Sequence, residues 1–290
     1  MAMRATERAP AGIAEMAPSS SDALLNLVRR YPQFTISPAI LITLVGCWWL
    51  ATDVFGAPAY IVPAPEQVLR ALIHGLSRAP WDTGGYWYHS GVTIWEALLG
   101  LAIGSALGAI LGFAICHWPI LGRSWYPYIV GFQSLPKVAL APLMVVWFGF
   151  GLQGKVFITA VITFFPVLVN TMAGYQSVEP ERIELARSCN ASEWHLLSKI
   201  ILPSCLPFLF AGLSVASVLA ILGAVVGEFV GASAGLGMLL MQYDQQMELA
   251  PMFAVILLLA VIGFLMNYVM QLLERRYCFW AQRVNASGRP

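Results

Sequence analysis

Between positions 92 and 116 the chain runs for 25 residues with one charged side chain, Glu96. Such a run cannot coat a water-soluble domain. As a helix it exceeds the about 20 apolar residues that cross roughly 30 Å of hydrocarbon. Comparable runs lie at 36–54, 126–149, 156–173, 205–229 and 251–273. They predict an all-α membrane protein with about six transmembrane helices. A β-barrel is excluded, because its strands alternate in polarity over about 10 residues. Only 11% of the 290 residues are charged, against about 25% in average soluble domains. Disordered chains are polar and charged, so that class is excluded too.

A net charge of +1 gives no electrostatic reason to bind nucleic acid. The five cysteines, Cys47, Cys116, Cys189, Cys205 and Cys278, are odd in number and form no CxxC pair. Neither a disulfide framework nor a zinc site is expected. His74, His89, His117 and His195 are scattered without ligand spacing. There is no P-loop or HExxH motif. The chain is therefore not expected to be an enzyme, or to hold a metal or cofactor of its own.

Residues 1–33 and 276–290 read as polar tails around a transmembrane domain at 34–275. The N-terminal tail has no apolar core of the length a secretory signal needs. At 66–76, Pro65 and Glu66 open a helix with Val68, Leu69, Leu72 and Leu76 at helical spacing. This is an amphipathic surface helix, and Trp81, Tyr86, Trp87 and Tyr88 are expected in a loop after it. Pro136 and Pro142 predict a broken helix within 126–149, since proline removes a ladder hydrogen bond and clashes with the preceding turn. Gly100, Gly104, Gly108 and Gly112 stand four apart, a small-residue ladder that admits close helix packing. Four residues advance about 400°, so the stripe drifts and is expected to serve more than one neighbour. Gly212, Ala216, Ala220 and Ala224 form a second ladder. A glycine-rich piece at 231–237 leads to a short helix at 238–245.

With the N-terminus inside, twelve Lys and Arg residues fall on the cytoplasmic side: Arg4, Arg8, Arg29, Arg30, Arg123, Arg182, Arg187, Lys199, Arg275, Arg276, Arg283 and Arg289. Three, Arg70, Arg78 and Lys155, fall outside, and Lys137 lies within a span. The positive-inside bias places both termini and the loop 174–203 in the cytoplasm.

That loop reads as a helix–turn–helix. Pro180 and Glu181 open the first helix. Asn190 suits the left-handed conformation that ends it. Ser192 caps the second helix, and Pro203 is expected to start the next span. Leu185, Trp194 and Leu197 are apolar groups on a charged loop, as at a docking surface.

The stretch 184–203 resembles the EAA loop of ABC-importer permeases. Glu184, Ala186, Ala191 and Ile201-Leu202-Pro203 are in register. Leu185 stands where the pattern has Ala, and Asn190 where it has Gly. A second stretch, 134–151, resembles the branch that imports nitrate, sulfonates, taurine, bicarbonate or thiamine precursors, and the segment 60–76 fits that branch. The resemblance covers roughly residues 35–275. It implies a type I importer permease, multi-pass in the bacterial inner membrane. It implies a second permease copy as a homodimer, two cytoplasmic ATPases that carry the ATP and Mg, and an extracytoplasmic binding protein that delivers a small solute, for which a cation at Lys137 on the path would favour an anion. The implied coupling residues are Glu181, Glu184, Leu185, Ala186, Asn190, Ala191 and Trp194.

Candidates for the translocation path are Lys137, Gln133, Glu96 and Glu228. Charge inside a span costs about 2.5–3.5 kcal/mol on insertion scales and needs a partner or water. Glu96 and Glu228 are expected to brace the outer ends of the bundle. Lys137 lies several turns from Glu228, so the two are not expected to pair. The alternative function is a stand-alone secondary carrier using these ionisable groups as an ion relay.

Overall fold

The computed structural model describes residues 32–56, 58 and 60–280. Residues 1–31 and 281–290, which hold most of the two expected tails, lie outside the described residues. Every regular element among the described residues is helical. The chain divides into one unit up to Pro58 and a second from Ala59. The first unit contains α1, Pro32–Trp49, which runs into a wide π turn at Leu50–Val54. Its apolar part, Pro38–Val54, is about 26 Å long at 1.5 Å per residue, short of the roughly 30 Å of bilayer hydrocarbon.

The second unit holds α2 (Pro65–Ser77), α3 (Tyr86–His117), α4 (Pro119–Ser134), α5 (Ala141–Phe148) and α6 (Leu152–Gln176). It continues with α7 (Pro180–Ser188), α8 (Glu193–Leu196), α9 (Leu202–Phe229), α10 (Leu236–Gln245) and α11 (Leu249–Tyr277). Four helices are each long and apolar enough to cross a membrane: α3, α6, Glu193–Phe229 and α11. A bent pair, α4 and α5, can make a fifth crossing. The sequence reading expects six, and the difference is α1, whose apolar part is short.

The pair α4–α5 bends by 81°. Leu135 is extended (φ −69°, ψ 138°), the conformation that a following proline imposes, and Pro142 sits in the first turn of α5. The topology agrees that this pair is one crossing. Gly100 of α3 lies against Thr159 of α6, and Gly112 lies against Thr171, so α3 and α6 run parallel. The chain between them must therefore return across the bundle once. By contrast α9 is antiparallel to α6, with Gly212 against Asn170 and Gly227 against Lys155.

The bundle core is α3, α6 and α9, with α11 against α9 and α5 against α6. Lipid is as apolar as leucine, so burying Val167 or Leu168 does not by itself join helices; close packing and buried polar contacts do. A Cβ on Gly104 would strike Thr163 Oγ1 and the Ala160 carbonyl, and one on Gly108 would lie 2.6 Å from the Phe164 carbonyl. The space freed by glycine lets Thr163 Oγ1 come within 3.3 Å of the Gly100 carbonyl. Contrary to the expected drift, all four glycines of the ladder face the one helix α6. Their partners Thr159, Thr163, Val167 and Thr171 also stand four apart. Rows of the i±4 type interlock at an inclined crossing, so the partner turns with the stripe.

Two local expectations are corrected. Tyr86, Trp87 and Tyr88 are not in a loop; Gly85 is extended and they form the first turn of α3. The Tyr86 ring occupies the place a side chain would take on Gly75. Nor does Pro203 start a span. Helix runs unbroken from Glu193 to Phe229, through a π turn at Leu197–Ile201 in which Leu202 N–H donates to the Leu197 carbonyl. Such a turn is one of the recognised ways for a helix to deviate locally, and it immediately precedes the residue that lacks an N–H.

Candidate functional site

The helix–turn–helix at one end of the bundle is built in layers. Glu179 and Pro180 begin α7. Asn190 adopts φ 58°, a conformation Asn tolerates better than other non-Gly residues. Ala191 N–H donates to the Ala186 carbonyl at 3.1 Å, closing the turn. Ser192 Oγ accepts from His195 N–H at 3.3 Å and caps α8. Arg187 and Glu193 join the two helices at 3.2 Å, but both side chains are about 60% exposed. An exposed pair of this kind contributes about 0–1 kcal/mol, so it is not what holds the loop. That task falls to Val178, Ile201 and Cys205, which are buried with Ile183 and Leu197 against them, and to Leu196, also buried.

The loop is thus rooted on one face, and its other face carries large apolar groups. Leu185 is 68% exposed and Trp194 75% exposed. Glu181 and Glu184 are exposed beside them in sequence, while Ala186 and Ala191 are half-buried. Leu197, read from sequence as part of the apolar surface, instead faces the core.

Gln133 and Lys137 flank the break between α4 and α5. Lys137 Nζ donates to the Gln133 carbonyl at 2.9 Å and lies 4.8 Å from the Phe165 ring centroid. The carbonyl is at the C-terminal end of α4, where a cation is favoured. Phe165 is near the middle of α6, so Lys137 sits at mid-bundle depth. It is half-buried and Gln133 is exposed.

At the opposite end from the helix–turn–helix, ionisable groups are buried together. Lys155 Nζ donates to Glu96 Oε1 at 2.6 Å, with side chains 11% and 3% exposed. Glu228 is 1% exposed. Its Oε1 accepts from Thr93 Oγ1 at 2.7 Å, and its Oε2 accepts from Gly237 N–H. Thr93 Oγ1 in turn accepts from Leu236 N–H at 2.8 Å. His89 Nδ1 accepts from Gly235 N–H at 3.0 Å, and its Nε2 lies 2.8 Å from the Thr83 carbonyl. Three consecutive N–H groups at the start of α10 are therefore held by α3 and α9. They are among the orphan donors of a helix N-terminus. Gly235 has φ 125°, and a Cβ there would collide with the Glu228 carboxyl.

The structure therefore brings Glu96 and Glu228 into one cluster and leaves Lys137 outside it. Lys137 and Lys155 are about 15 Å apart along α6, from the ten residues between Phe165 and Lys155 at 1.5 Å each. Lys155, His89 and Thr93 are members that the sequence reading did not single out. A signal for two of them exists: positions 89, 93 and 96 continue upward the helical stripe of 100, 104, 108 and 112.

Residues 92–277 match the family described as binding-protein-dependent transport system inner membrane component. A riboflavin transport system permease protein of Chloroflexus aurantiacus is 35% identical over 243 residues, covering 84% of this chain and 89% of that one. A formylaminopyrimidine transport permease protein of Halalkalibacterium halodurans is 33% identical over 241 residues, covering 82% and 93%. The taurine transport system permease protein of Escherichia coli is 29% identical over 254 residues, covering 87% and 92%. Among solved structures, an inward-facing MetNI methionine ABC transporter chain superposes with a TM-score of 0.55 at 21% identity, covering 63% of this chain and 94% of that one.

Proposed function

Since the chain belongs to the family of binding-protein-dependent transport system inner membrane components, and is a multi-pass permease subunit of an ABC importer, we propose how its parts serve that role. Residues 34–275 are the permease domain, flanked by cytoplasmic tails. Two copies assemble as a homodimer around the translocation path. Two ATPases dock on the helix–turn–helix from the cytoplasm and bind and hydrolyse the ATP with Mg; this chain binds no cofactor. An extracytoplasmic binding protein hands over the solute at the other end.

The observation that carries this reading is the helix–turn–helix itself. Its inner face is locked into the bundle by Leu196 and Ile201, and its outer face presents Leu185 and Trp194 to a partner. Glu181 and Glu184 supply acid beside that apolar surface, for basic or polar groups on the ATPase. Because α8 is continuous with the helix that reaches Phe229, force applied at Trp194 enters the bundle directly.

Lys137 and Gln133 line the path. A polar amide exposed at mid-bundle depth is costly against lipid, so that face is covered by the second copy and by water. A cation there favours a solute with an anionic group. Taurine, riboflavin and formylaminopyrimidine, named for the relatives, set the scale of molecule: a small organic solute. Glu96 and Glu228 are engaged with Lys155, Thr93 and backbone N–H groups, which suits bracing rather than a relay.

The test is reconstitution with the ATPases. Glu184→Lys is expected to insert and fold normally while ATPase copurification and uptake both fall. Normal copurification and uptake in that variant overturn the coupling assignment.

A further inference from the structure

At the end of the bundle opposite the helix–turn–helix, α2 and the start of α3 stand across from α10. Between them is a cleft of about 880 Å³, within the about 300–1,000 Å³ typical of small-molecule sites. One wall carries Arg70 and His74, one turn apart on α2, and Arg78, the extended residue that follows the helix. The start of α3 adds His89, the wall across from them includes Gln242 and Tyr243 of α10, and the acid lining the cleft among the described residues is Glu248.

The two arginines are nearly free. Arg70 has only a loose pair with Glu66 at 3.9 Å, with both side chains more than 70% exposed. Arg78 donates to the Gly84 carbonyl at 3.2 Å. A guanidinium carries five N–H donors, so most remain to be satisfied. Guanidinium forks match carboxylate, sulfonate and phosphate oxygens in pairs. His89 differs, because both its ring nitrogens are already engaged.

We propose that this cleft is a binding site for an oxyanion group, held by Arg70 and Arg78, on a small molecule or a lipid headgroup. The site is built to be felt elsewhere. A ligand that reaches Gln242 and Tyr243 touches α10, whose first N–H groups are pinned by His89, Thr93 and Glu228. The inference rests on the permease reading only for which face of the membrane the cleft opens to.

The experiment uses the full-length chain in nanodiscs, without ATPases or binding protein. In one arm, neutral phosphatidylcholine discs are titrated with inorganic phosphate, at ionic strength held constant with chloride. In the other, phosphatidylglycerol replaces part of the lipid. The wild type is expected to gain about 2–4 °C in Tm in at least one arm. A gain with phosphate identifies a free solute, and a gain with phosphatidylglycerol alone identifies a headgroup. Arg70→Gln/Arg78→Gln is expected to lose the gain. Arg70→Gln alone, at an exposed position, reports if the double variant does not fold, and is expected to reduce the gain. No gain in either arm, or a gain unchanged by these substitutions, overturns the proposal. Neither arm requires transport, so the result is independent of the coupling test.

Discussion

Lys155 Nζ and Glu96 Oε1 stand 2.6 Å apart, tying the first turn of α6 to α3 across 59 residues of sequence. Both side chains are almost fully buried, so removing one partner strands a charge. Breaking a buried pair costs about 3–5 kcal/mol, whereas replacing both partners by apolar groups is often neutral.

Lys155→Met is therefore expected to lower the Tm of the purified permease by several degrees. Lys155→Met/Glu96→Leu is expected to recover most of the loss. Thermal unfolding in nanodiscs measures both. A single variant as stable as wild type would remove the pair from the account of what holds this end together.

The glycine ladder makes a sharper contrast. Gly104→Ala places a methyl group onto Thr163 and the Ala160 carbonyl, while Gly263, on α11, has nothing within 4 Å of its would-be Cβ. Overpacking costs about 1–3 kcal/mol and more where backbone must move. The yield of monodisperse protein is expected to collapse for Gly104→Ala and to hold for Gly263→Ala. Equal yields would show that the α3–α6 contact is looser than described.

At the turn of the helix–turn–helix, Asn190→Gly is expected to leave stability and ATPase copurification unchanged. Asn190→Val is expected to lose about 1–2 kcal/mol, because a β-branched residue resists the left-handed conformation. Limited proteolysis of the loop reads the difference, with faster cleavage in the Val variant alone.

Lys137→Met keeps length and removes charge at the break in the α4–α5 crossing. The expected outcome is normal assembly with uptake reduced at least tenfold and little change in basal ATPase activity. Loss of assembly would make Lys137 structural. Unchanged uptake would withdraw it from the path.

Local chemistry was legible in the sequence. Asn190, Ser192 and Pro180 mark the two short helices because caps and left-handed turns depend on residue type alone. Pro136 and Pro142 mark the break for the same reason. The association of Glu96 with Lys155 was not legible: a lysine three residues into an apolar helix reads as a loop charge until its partner is known. The continuity of helix through Pro203 was hidden too, because a proline is also the ordinary way to begin a helix. The π turn that precedes it leaves no mark in residue type. His89 and Thr93 could have been found, since they extend the glycine stripe, but polar residues near a span end usually meet water.

That unbroken helix has a mechanical consequence. Glu193–Phe229 is about 55 Å long at 1.5 Å per residue, longer than the hydrocarbon it crosses. One end carries Trp194, and one residue from the other stands Glu228, whose carboxylate grips the start of α10. A stiff rod clasped in the middle, where Ala216 and Ala220 are fully buried, pivots rather than slides. Small tilts at the exposed tip then become opposite displacements at the far end, delivered to α10 through a helix that stays continuous across the π turn at Leu197–Ile201.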